Sequence, residues 1–267
     1  MDNVLFAFLL TLFAGLSTGI GSTIALFAKK TNTKFLSISL GFSGGVMLYV
    51  SMIEIFYKAK DALTAEMGLK AGYWLTVGSF FVGIFLIAII DKVIPSTQNP
   101  HEVCRVEDFE KGKCDPSPNL FRTGLFTALA VGIHNFPEGL ATFISALQEP
   151  SIAIPIAVAI AIHNIPEGIA ISAPIYYATG DKRKAFLYSF LSGFSEPVGA
   201  LVGYLILMPF INNLVFGIVF AVVAGIMVFI SLDELLPAAR EYGEHHLSIY
   251  GLIAGMGVMA LSLLLFI

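Results

Sequence analysis

Two stretches of the chain, GIHNFPEGLA (132–141) and AIHNIPEGIA (161–170), set a histidine, an asparagine and a glutamate inside long apolar runs. His134 and Glu138, like His163 and Glu167, stand at i and i+4. At about 100° per residue, a helix places each glutamate angularly between the histidine and the asparagine of its own motif. Such a glutamate can bridge two adjacent cations, one on the imidazole side and one on the amide side. A third carboxylate, Glu196, follows Glu167 by the same 29 residues that separate Glu167 from Glu138. The chemistry this predicts is a two-metal centre built from His134, Asn135, Glu138, His163, Asn164, Glu167 and Glu196, with Glu138 and Glu167 shared.

Mixed imidazole, amide and carboxylate donors suit borderline divalent ions, Zn²⁺ first and then Fe²⁺, Mn²⁺, Co²⁺ and Cd²⁺. They do not suit Na⁺ or K⁺, and the lack of a thiolate disfavours Cu⁺. No lysine or arginine occurs between Arg122 and Lys182. A carboxylate at mid-bilayer costs about 3 kcal/mol on insertion scales, so three cost roughly 9 kcal/mol unless a cation or protons neutralise them. The partner expected is therefore mobile: metal or protons.

The elements that must position these groups are membrane helices. The chain is 57% hydrophobic and 13% charged, about half the charged fraction of a soluble domain. A net charge of −4 gives no footprint for nucleic acid. Two cysteines, Cys104 and Cys114, are too few for a disulfide framework. The first apolar run has no basic flank and outlasts a signal-peptide core, so it reads as a retained span. Spans need about 20 apolar residues. Eight are expected, at 4–28, 35–57, 72–95, 121–146, 151–177, 184–209, 212–232 and 248–267, forming one polytopic domain over 1–267. The segment 91–122 is expected to be a polar cytosolic loop between spans three and four.

Loops on one side would carry Lys29, Lys30, Lys34, Lys92, Arg105, Lys111, Lys113, Arg122, Lys182, Arg183, Lys184 and Arg240; loops on the other carry Lys58, Lys60 and Lys70. The positive-inside rule puts both termini outside. His134, His163 and Glu196 each lie near the middle of their spans, so the three motifs are expected at one depth. Pro137, Pro166 and Pro197 remove N–H donors and free the carbonyls of Ile133, Ile162 and Gly193, which is tolerated where a helix lines a polar cavity. Gly139 and Gly168 permit close helix approach.

Other polar groups read more blandly. Glu54 is a ligand or, more readily, a structural acceptor. Asp233 and Glu234 fit an exit station or a solvated helix end equally. His245 and His246, with Glu241 and Glu244, read as a solvated loop. His101, Cys104 and Cys114 match no standard zinc module. An embedded metalloenzyme lacks the His-Glu-x-x-His motif, and no serine or cysteine has an evident catalytic partner. A passive scaffold lacks a soluble domain.

The motifs HNFPEGLATF and HNIPEGIA resemble the signature helices of the ZIP family of divalent-metal transporters, and His-Asn in both resembles its bacterial ZupT-like branch. SLGFSGGVMLYVSMIE, YYATGDKRKA and AGIMVFISLDELLPAA extend the resemblance over essentially the whole chain. It implies an all-α, eight-helix bundle, often homodimeric. Spans one, four, five and six would move against two, three, seven and eight by alternating access. It implies metal uptake into the cytosol. No prosthetic group is expected, and the short loops and lack of targeting signals suggest a bacterial plasma membrane. The resemblance further implies one site from His134, Glu138, His163 and Glu167, associated with zinc. The other, from Asn135, Glu138, Asn164, Glu167 and Glu196, is associated with iron. A channel-like pore would use the same ligands.

Overall fold

The computed structural model describes residues 3–27, 33–93, 118–148, 150–207, 210, 212–242 and 245–264. Apart from short turns at 68, 180–181, 194 and 212, the described residues are helical, and they include no strand. Span one is α1 (Asn3–Phe27). Span two is α2 (Thr33–Tyr49), a π-helical turn (Val50–Ile55) and α3 (Phe56–Met67). Span three is α4 (Leu69–Val93). Spans four and five are α5 (Pro118–Gln148) and α6 (Pro150–Thr179). Span six is split into α7 (Lys182–Gly193) and α8 (Ser195–Val202), the latter followed by a π-helical turn (Gly203–Leu207). Span seven is α9 (Asn213–Ile230), a π-helical turn (Ser231–Leu235) and α10 (Leu236–Tyr242). Span eight is α11 (His245–Leu264).

Among the described residues, seven helical segments are long and apolar enough to cross a membrane. The helix over residues 118–148, which carries His134, Asn135, Pro137 and Glu138, is not among them. Span two runs ten residues past its expected end at 57. Lys58, Lys60 and Asp61 stop an apolar count there, yet Ala59 and Leu63 remain buried and keep the helix docked. The expected loop 91–122 begins with the last turn of α4 and ends with the first turn of α5. Its centre, with His101, Cys104 and Cys114, lies outside the described residues. Two sharp turns between spans use glycines in the left-handed region, Gly68 (φ 78°) and Gly180 (φ 65°), where other residues are strained. After Gly180, the Asp181 carboxylate accepts from the N–H groups of Arg183 and Lys184 and starts α7.

The described helices sort into two packing groups. α1 packs most heavily on α6, and α5 on α6 and α8, with α7 against α1, α5 and α6. In the second group α2 packs on α11, and α9 on α4 and α3. These are the two sets the resemblance implied. Close backbone contact holds each group together. A Cβ on Gly139 would fall on the carbonyl of Glu196, one on Gly168 on that of Thr18, and one on Gly199 on that of Phe136. In the second group Gly41, Gly45, Gly251 and Gly255 interlock α2 with α11, and Gly83 and Gly225 interlock α4 with α9. Every described glycine whose Cβ would strike neighbouring backbone does so inside its own group. Between the groups lie α2 against α6 and α9 against α5, with a hydrogen bond from Ser43 Oγ to the carbonyl of His163 (3.2 Å). α6 is central, with 67% of its span buried, whereas α4 and α11 bury 22% and turn Phe85, Ile89, Ile253 and Leu264 outward.

Candidate metal centre

Three helices of the first group bring Glu138 to His163 and Asn164 to Glu196. α5 and α6 run through Pro137 and Pro166 without a break. The break falls at Phe194, where α7 gives way to α8. Its cause is Pro197, which cannot donate to the carbonyl of Gly193. The break sets Glu196 in the first turn of a new helix, where backbone N–H groups and the helix dipole favour a carboxylate.

Asn135, Glu138, His163, Asn164, Glu167 and Glu196 are each 0–1% exposed. Glu138 Oε1 lies 3.1 Å from His163 Nε2, joining α5 to α6. Asn164 Nδ2 donates to Glu196 Oε1, joining α6 to α8, and to the carbonyl of Ala14 in α1 at 3.0 Å. Asn135 Nδ2 donates to the carbonyl of Ser192 at 3.3 Å. The two asparagines are thus treated alike. Each amide nitrogen is fixed on a neighbouring backbone carbonyl, and each Oδ1 is left buried without a hydrogen-bond partner. Glu138 Oε2 and Glu196 Oε2 are in the same condition. Unpaired buried oxygens cost about 1–3 kcal/mol each, and more when charged. Among the described residues no Lys or Arg ion pair is seen at Glu138 or Glu196; lysine pairs form instead between Lys58 and Glu54 and between Lys60 and Asp61.

His134 lies on α5, but its side chain is outside the described residues. Among those described, no three His, Cys, Asp or Glu side chains converge closely enough to grip one ion. What is assembled is two pairs, Glu138 with His163 and Asn164 with Glu196, flanked by the amide oxygens.

Two backbone contributors escaped the side-chain reading: the carbonyls of Ala14 and Ser192, which aim the asparagines. Their signal in the sequence is the run of small residues AGLSTGIGS (14–22), whose Ala14, Gly15, Ser17, Thr18, Gly19, Gly21 and Ser22 are all buried. Thr18 Oγ1 and Ser22 Oγ there are also without hydrogen bonds. Asp233 is exposed and Glu234 half-buried. His246 is exposed in the first turn of α11 and stacks on Tyr250, so it stands in a helix rather than a loop.

The chain is similar over its whole length to bacterial proteins described as zinc transporters. The ZIP Zinc transporter family model matches residues 95–263. The zinc transporter ZupT of Clostridium perfringens is 67% identical over 279 aligned positions, covering 100% of this chain and 98% of that protein. The ZupT proteins of Oceanobacillus iheyensis and Chlorobaculum parvum are 68% and 64% identical, covering 99% and 100% of this chain and 99% of each relative. With its signature helices carrying these buried oxygens at one place in the bundle, the chain belongs to the ZIP family of transporters.

Proposed function

We propose that this protein takes up divalent transition metal, Zn²⁺ foremost, from outside the cell into the cytosol through the α5–α6–α8 centre. The observation that carries the reading is the matched treatment of Asn135 and Asn164. Both present an unpartnered Oδ1 beside Glu138 and Glu196, in a stretch with no fixed cation between Arg122 and Lys182. A metal ion satisfies those oxygens and neutralises the carboxylates at once. Relatives described as zinc transporters support zinc as the first substrate. Imidazole and carboxylate donors also accept Fe²⁺, Mn²⁺, Co²⁺ and Cd²⁺.

In this reading Glu138, His163 and Glu167, completed by His134, form the zinc-preferring half. Asn135, Asn164 and Glu196, sharing Glu138 and Glu167, form the half suited to iron. α5 is the eighth span: 31 residues, polar because it carries ligands, and enclosed by α6, α7 and α8. Eight spans put both termini outside and the 91–122 loop in the cytosol of a bacterial cell. Metal sheds water at the outer face, binds at mid-membrane, and leaves when the four spans that carry the ligands shift against the other four. Confinement of the glycine locks to each group supports such sliding.

The test is uptake into sealed proteoliposomes of Zn²⁺, Fe²⁺, Mn²⁺ and Cd²⁺ offered separately, comparing wild type with Glu167→Gln. Uptake by wild type and its loss in the variant is expected. A folded wild type that moves none of these ions refutes the transporter reading. A fully active variant refutes the centre.

A further inference from the structure

A narrow crevice leaves the metal centre at Glu138 and follows α5 toward its C-terminal end past Thr142 and Ser145, walled by Ile156, Ile160 and Met227. Glu54 of span two also lines it, and is the more exposed of its two carboxylates, 17% against 1% for Glu138. Its free volume is about 10 Å³, room for about one water-sized body, so a hydrated cation does not fit. Thr142 is 4% exposed, and its Oγ1 lines the crevice without a hydrogen bond. At the mouth, Glu54 Oε1 is held by Lys58 Nζ at 2.9 Å, with both side chains about five-sixths buried.

Glu54 is placed there by a defect in its helix. The π-helical turn Val50–Ile55 interrupts span two, and such turns concentrate at functional positions. The same device recurs in span seven. GGVMLYVSMIEIFYKAK (44–60) aligns without a gap on AGIMVFISLDELLPAAR (224–240), and the second copy has its own π-helical turn at Ser231–Leu235. Glu54 matches Glu234, and both lie 21 residues into their spans, counted from Thr33 and Asn213. On the eight-span reading these spans run in opposite directions, so Glu54 sits in the outer half and Glu234 in the inner half. The copies differ at one telling place: Lys58 is replaced by Ala238.

We propose that Glu54 is the outer binding station for incoming divalent metal and that Lys58 is a tethered cation occupying it until metal arrives. This rests on the uptake reading above. The metal exchanges its last waters for Glu54 and then for Thr142 Oγ1 and Glu138 along a passage too tight for its hydration shell. The lysine keeps Glu54 neutralised while the station is empty and competes with monovalent ions for it. The inner copy carries no such lysine.

The test measures zinc uptake against external zinc for wild type, Glu54→Gln and Lys58→Met in proteoliposomes. Glu54→Gln is expected to raise KM roughly tenfold, the scale of one lost charge in partly aqueous surroundings. Lys58→Met is expected to lower KM severalfold, with maximal rates within about twofold in both. Lys58→Arg keeps the competitor and should track wild type. A purely structural ion pair moves both variants in the same direction, and that result, or unchanged KM in both, overturns the proposal. If either variant folds poorly, the charge-keeping Glu54→Asp decides: its carboxylate is one methylene shorter, so KM should rise severalfold with the maximal rate kept. An unchanged KM in a folded Glu54→Asp overturns the proposal. Wild type that transports while these shifts fail removes the station alone; wild type that does not transport removes both readings.

Discussion

Replacing Glu138 by glutamine probes the centre with little change of shape. The carboxylate is 1% exposed and its nearest polar partner is His163 Nε2 at 3.1 Å. A dication held at a similar distance gains about 10 kcal/mol of gross attraction from the carboxylate at an effective dielectric of about 20. Stripping water from both returns most of that. If a third survives, the loss is about 3 kcal/mol, or more than a hundredfold in affinity. The protein itself loses an uncompensated buried charge, so its metal-free stability should hold or rise. Thermal unfolding in detergent separates these effects. At a hundred times Kd, zinc should stabilise wild type by about 2.7 kcal/mol, a shift of about 5 °C or more. In Glu138→Gln the metal-free Tm should equal or exceed that of wild type, and the zinc-induced shift should vanish at the same concentration. A variant that keeps the full shift, or loses Tm without zinc, refutes the assignment of Glu138 as a metal-facing carboxylate.

Binding needs neutral imidazole and ionised carboxylate, so the free site holds more protons than the occupied one and acidification must weaken binding; zinc affinity measured between pH 7.5 and 5.5 should fall, and a flat profile contradicts the donor set. Asn164→Ala removes Oδ1 and the restraint on Glu196, so Fe²⁺ and Mn²⁺ uptake should fall more than Zn²⁺ uptake; equal losses would count against an oxygen-rich second half. Gly139→Ala drives a methyl into the Glu196 carbonyl and should cost about 1–3 kcal/mol in thermal stability, while Gly78→Ala, with nothing within 4 Å, should be neutral or stabilising. Cys104 and Cys114 should resist an impermeant thiol reagent in intact cells and react in inverted vesicles; labelling from outside would reverse the proposed orientation.

Much of the site was legible because its signal is chemical contradiction: charges where the sequence is apolar. Glu138 meets His163 and Asn164 meets Glu196, a meeting that their repeated spacing along consecutive helices already suggests. Span counting found the seven segments that are long and apolar enough to cross a membrane, and at the expected fourth span the chain forms a 31-residue helix, α5. Two features were hidden. The carbonyls of Ala14 and Ser192 that orient the asparagines carry no side-chain signature, and only the small-residue run of α1 marks the approach. The end of span two was misjudged because Lys58 and Lys60 look like a boundary, whereas Ala59 and Leu63 keep the helix packed. Of the three prolines, Pro197 alone coincides with a helix break; α5 and α6 absorb Pro137 and Pro166, which spacing cannot foretell.

The confinement of close glycine contacts to one four-span group or the other predicts how substitutions will speak to each other. A side chain added at Gly168 can be relieved by trimming α1, and one added at Gly45 by reshaping α11, but neither relief crosses the seam. Couplings measured among such positions should therefore fall into two blocks with little between them. Sequence drift in one block is then free to proceed without compensation in the other. The seam, held by side chains such as Ser43 on the backbone of His163, is where a change in either block would first be felt as altered turnover rather than altered stability.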